Sequence, residues 1–84
     1  MESVNRQLLR AIELAQAGDW DAAHELVQRH EDNSAAWIHA VLHKMEGDLS
    51  NSGYWYRRAR RAPNMTVEPR AELCAIKAEL CGNS

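Results

Sequence analysis

Residues 36–46 read AWIHAVLHKME, which places His39, His43 and Glu46 at offsets of zero, four and seven. On an α-helix those offsets return to nearly the same angle, so the three side chains form one polar stripe on an otherwise apolar segment. Neutral imidazoles at i and i+4 can share a metal, and a carboxylate one turn further on can be a third ligand, which is the minimum for Zn²⁺. His24 can complete the set from a neighbouring hairpin. Against this, no Glu directly follows the first histidine, as an H-E-x-x-H site requires, and Cys74 and Cys81 are far away in sequence. The sequence therefore assigns no metal and no cofactor. The simpler expectation is that His39 lies at a helix margin, bonded to backbone or solvent, while His43 borders a groove because Ala36 and Ala40 leave room beside it. Arg57 joins the ligand-binding candidates because Gly53 permits close approach there.

A second chemically suggestive stretch is YWYRRARR, residues 54–61. Rings beside guanidinium groups suit single-stranded nucleic acid. On a helix, however, Ser52, Trp55, Tyr56 and Ala59 share the inward face, which leaves Tyr54, Arg58 and Arg61 as partner-facing candidates. Arginines in the last turns also complement the helix dipole. The reading is thus a solvated or partner-facing basic face and disfavours nucleic acid. No catalytic residue is assigned. Ser50 and Ser52 lack a His-Asp arrangement, Asp19 and Asp21 sit where caps belong, and Cys74 is expected to be buried in mid-helix.

The elements that must position these residues are helical throughout, with no sustained strand-type alternation. The periodicity predicts a helix over 3–17, ended by Gly18, and a second to about His30 with Asp19 at its start. A third runs from Ala35 to Glu46, capped by Asn33 or Ser34, and a fourth from about Ser50 to Arg61. Pro63 breaks the chain, and a fifth helix to about Cys81 follows, capped by Thr66 with Pro69 in its first turn. The expected architecture is all-α: two helix-turn-helix hairpins, about 3–30 and 34–61, and a capping helix over 67–81, in one domain covering 1–84.

An internal repeat supports the hairpins. At an offset of 29, Ala11 aligns with Ala40, Gly18 with Gly47, Asp19 with Asp48 and Arg29 with Arg58. The second unit, with Ala40, the Gly47-Asp48 turn, Ser52, Tyr56, Ala59 and then Pro63, resembles a tetratricopeptide-type unit, and YWYRRA resembles the closing helix of its Sel1-like relatives. The first unit matches at Gly18, Ala23 and Val27, with His30 in place of the closing Ala. The resemblance spans roughly residues 8–62 and implies a right-handed stack of α-hairpins that holds a peptide or protein partner. The stretch from Ala35 to Ala59 is also similar to that of small uncharacterised bacterial proteins, which implies no activity.

The formal net charge is −2, but residues 1–50 hold nine acidic and four basic side chains, against three and six in 51–84. Electrostatic attraction is therefore local. No apolar run has membrane-spanning length, and MESVNRQLLR lacks a signal-peptide profile, so the expectation is a cytoplasmic protein with no membrane partner. Two cysteines seven apart on one helix lie about 10 Å apart, too far to bridge, and are expected as thiols. The sequence thus points to a non-catalytic interaction or scaffold module, with homodimerisation through the fifth helix. The runner-up is a small ligand- or metal-binding protein built on His24, His39, His43, Glu46 and Arg57.

Overall fold

In the computed structural model, which describes residues 3–82, the chain is all-α. The helices are α1 Val4–Gln16, α2 Trp20–Val27, α3 Asn33–Met45, α4 Leu49–Arg58 and α5 Pro69–Cys81. The repeated Gly-Asp sites make the same turn twice. After α1, Asp19 N donates to Leu14 O at 2.9 Å and Gly18 N to Ala15 O at 3.1 Å; after α3, Asp48 N donates to His43 O at 3.0 Å and Gly47 N to Lys44 O at 3.1 Å. Both closures need a left-handed residue, and Gly18 and Gly47 supply it with φ of 93° and 83°. Asp19 and Asp48 then cap the next helices, accepting from Ala22 N and Asn51 N.

Other boundaries differ from the sequence expectation, each for a local reason. α4 stops at Arg58 rather than Arg61, because Arg60 takes a φ of 62° and Arg61 N closes back on Tyr56 O at 3.0 Å. That conformation costs a non-glycine residue about 1 kcal/mol. α2 stops at Val27 rather than His30, whose Nε2 instead pairs with Gln7 Oε1 at 2.9 Å and ties the following loop to α1. α3 begins at Asn33 with Asp32 in the cap position. α5 does begin at Pro69, but Glu68 is its cap. Thr66 belongs to a turn held by Asn64, whose Oδ1 accepts from Thr66 N and Val67 N.

α1 packs chiefly on α2 and α3 on α4, while α5 lies against α1 and α3. α3 touches all four other helices, and its residues from Ala35 to Lys44 are all buried. A surface helix would bury only one stripe. Leu8, Ile12, Val27, Ile38, Leu42, Tyr56, Leu73 and Ile76 form the fully buried centre. α5 is seated on one side only, by Leu73 and Ile76, so Cys74 and Cys81 are exposed free thiols. The expected burial of Cys74 is thereby overturned: its sulfur faces outward, 3.6 Å from Gln16 Nε2. No helix is long and apolar enough to cross a membrane among the described residues.

Two charges lie inside this frame. The Lys44 ammonium pairs with the Glu72 carboxylate, and also donates to Asn64 O at 2.8 Å and Val67 O at 2.9 Å. Glu72 in turn accepts from the Tyr56 hydroxyl at 2.6 Å and from Trp37 Nε1 at 2.8 Å. Burial, and then the Glu72 carboxylate, push the Tyr56 phenol well above its ordinary pKa, which keeps it an O–H donor. Removing one partner strands the other charge. Glu72→Leu should therefore cost roughly 3–5 kcal/mol in urea unfolding, while Lys44→Met combined with Glu72→Leu should cost clearly less than the sum of the single changes. Additive losses would contradict a coupled pair.

Candidate functional site

α2 and α3 bring three imidazoles into contact. His39 and His43 share one face of α3 because they are four residues apart, and His24 meets them from α2. Ring centroids lie 4.6 Å apart for His24 and His39, 4.9 Å for His39 and His43, and 5.3 Å for His24 and His43. His24 Nε2 and His39 Nε2 are 2.9 Å apart, so one ring donates and the other accepts. His43 Nδ1 donates to Glu46 Oε1 at 2.6 Å. His43, expected to border a groove, is instead buried at 7% exposure against Trp20, His24 and His39.

Two tryptophans hold the cluster in place. Trp20, one turn before His24, stacks on it at 4.7 Å with planes 10° apart, and its Nε1 donates to Leu42 O at 2.7 Å. Trp55 of α4 stacks on His39 at 3.8 Å, also at 10°. His39 is only 5% exposed. Burial first, then the neighbouring His24 and His43, lower its pKa to about 3. His24 is lowered too, by burial and then by His43, against the upward pull of Glu46, Asp21 and Glu25. Both rings are therefore neutral at neutral pH and keep a nitrogen lone pair.

Four of the five ligand-binding candidates, His24, His39, His43 and Glu46, thus meet in one place. His39 is in the interior of the cluster rather than at a helix margin. Arg57 lies elsewhere: its Nη1 is close to Gly53, beside Met65 of the loop before α5. Trp20 and Trp55 join the site only through the fold, although Trp20 carries a sequence signal in its position four residues before His24. Lys44 and Glu72 offered none. A second grouping, His43 with Glu46 and Asp48, has both acids exposed, and Asp48 is already accounted for as the α4 cap.

Of the partner-facing candidates, Tyr54 and Arg58 act together. Arg58 Nη1 donates to the Tyr54 hydroxyl at 3.0 Å, the Arg58 guanidinium sits 5.3 Å from the Trp55 ring centre, and Tyr54 meets Trp55 edge-on at 5.2 Å. This aromatic and arginine plate is joined to the histidines through Trp55, whose ring stacks on His39. Arg61 belongs to a different surface. Its guanidinium lies 3.4 Å from the Trp37 ring centre, beside an open cleft of about 500 Å³ that Arg60, Val67 and Glu72 also line.

Comparison with protein-family models, with curated proteins and with solved structures finds no match to this chain. The likeness to tetratricopeptide-type units therefore stands on its residues alone.

The lowered histidine pKa values set a pH dependence. Between the ordinary value near 6.5 and about 3, the unfolded chain binds a proton that folded His39 does not. Stability should be full above pH 6.5 and fall as the pH drops, by about 1.4 kcal/mol per unit for each histidine so affected. Urea midpoints at pH 7.5, 6.0 and 5.2, above the range where carboxylates dominate, measure this. A flat profile over that range would show that the rings are not held neutral.

Proposed function

We propose that this chain is a non-catalytic interaction module that docks a protein or peptide partner through the plate of Tyr54, Trp55 and Arg58 on α4. The observation that carries this reading is that exposed Tyr54 and Arg58 and the partly buried Trp55 are already assembled by mutual contact. Trp, Tyr and Arg are the residue types that dominate binding hot spots. Holding them in place before binding lowers the ordering cost of association. Tyr54 and Arg58 are both exposed, so the complementary partner offers an acidic group beside apolar side chains. The tetratricopeptide-like resemblance points the same way, since such hairpins serve as partner-holding surfaces.

Self-association belongs to the same proposal. α5 leaves Ala71, Cys74, Ala75 and Ala78 exposed along one side, which is the row a second copy would cover. A cytoplasmic setting suits the two free thiols.

Co-purification with the chain as bait tests the partner reading. A stoichiometric partner should be retained by wild type and by Lys77→Ala on α5, and its affinity should fall about tenfold or more on Arg58→Glu or Tyr54→Ala. A bait with no retained partner, or a partner indifferent to Arg58→Glu, overturns it.

A further inference from the structure

We infer that His24, His39 and His43 form a binding site for one divalent transition-metal ion of the Zn²⁺ class. This inference is independent of the α4 plate and stands or falls separately.

One ring nitrogen from each histidine lies within 4.8 Å of the other two. Two of these, the Nε2 atoms of His24 and His39, already point at each other at 2.9 Å. Two ligand nitrogens on a tetrahedral Zn²⁺ are about 3.3 Å apart, from bonds of roughly 2.0–2.1 Å. The pair therefore needs to open by only about 0.4 Å. In His43, the Nδ1 proton is committed to Glu46, which leaves Nε2 as the nitrogen with a free lone pair. A carboxylate holding the far nitrogen of a ligating histidine is the arrangement that fixes the tautomer and raises the basicity of the ligand.

The hydrogen bond between His24 and His39 uses one proton and one lone pair. With the Nδ1 proton of His43 committed to Glu46, the three neutral rings have three lone pairs and only two protons to share among themselves. A cation that takes all three lone pairs resolves this without net proton release: His24 and His39 each carry their single proton on Nδ1 and offer Nε2.

The ligand set also selects the metal. Imidazole nitrogens with no thiolate among them suit Zn²⁺, Co²⁺, Ni²⁺ and Cu²⁺ over soft ions, and Mg²⁺ and Ca²⁺ prefer oxygen. Cys74 and Cys81 are on α5, with Cys74 beside Gln16 of α1. Three protein ligands leave a fourth position for water or another ligand, and His24 is the most exposed of the three residues.

The test uses the full chain without a polyhistidine tag, stripped by a chelator and titrated calorimetrically with ZnCl₂, and with CoCl₂ followed by visible absorption. The expected result is one Zn²⁺ per chain and a tetrahedral Co²⁺ spectrum. His24→Gln and His43→Gln should each weaken binding about 100-fold or more, and Glu46→Gln, which touches no metal, about 10-fold. His30→Gln, outside the cluster, should bind as wild type. Far-UV circular dichroism checks that each variant is folded, and the partly exposed His24 gives a readable variant if a buried one unfolds. Absence of saturable one-to-one binding tighter than about 100 μM overturns the inference. So does an equal loss on His30→Gln and His24→Gln.

Discussion

The buried pairing of Lys44 with Glu72 is the constraint on which the rest of the arrangement depends. An ammonium has three hydrogens, and here they meet the Glu72 carboxylate and the Asn64 and Val67 carbonyls, with the Tyr56 oxygen 3.1 Å away. A long, irregular connection between α4 and α5 has no ladder of its own to satisfy its backbone, and a central charge gives two of its carbonyls a donor. The same contact fixes where α5 sits. Leu73 and Ile76 then follow into the core beside α3, and Trp37 and Tyr56 are oriented by the carboxylate they donate to. Desolvating two charges offsets much of what their attraction contributes, so the pair specifies position more than it adds net stability.

α3 is the element in which these requirements meet. His43 and Lys44 are adjacent in sequence, and a helix turns 100° per residue, so they project to different sides. One faces the imidazole cluster and α2. The other faces α5. A helix buried from Ala35 to Lys44 can hold polar groups on two sides only if each is fully partnered. The histidines achieve this through one another, Glu46 and stacked indoles, and the lysine through carboxylate and carbonyl oxygens. This also explains why the stretch reads as an apolar segment with polar interruptions rather than as an amphipathic helix.

What was legible in the sequence was what is local. The i to i+4 spacing of His39 and His43, the turn on to Glu46, and the two Gly-Asp closures are set by helix geometry and steric rules that act within a few residues. His24 could be named as a partner because the repeat suggested which helix lies opposite. Three features were not legible. Glu72 is 28 residues from Lys44, with no motif linking them. The early end of α4 rests on a left-handed Arg60, which nothing in an arginine announces. The exposure of Cys74 follows from α5 being packed on one side alone, a tertiary fact that an apolar residue in a helix does not reveal. Arg57 does lie beside Gly53, on the side of α4 that faces Met65.

The late position of Glu72 along the chain has a consequence for how the molecule assembles. The Gly-Asp turns and their flanking helices close over short loops, so α1 with α2 and α3 with α4 can form early at little entropic cost. Until α5 arrives, Lys44 must remain hydrated, and the buried side of α3 that receives it cannot dehydrate. An unpaired ammonium there would be costly to desolvate, so burial of that side of α3 is tied to the arrival of Glu72. In the folded chain α5 brings the carboxylate to Lys44 and the Leu73 and Ile76 side chains into the core, while the loop before it supplies the Asn64 and Val67 carbonyls.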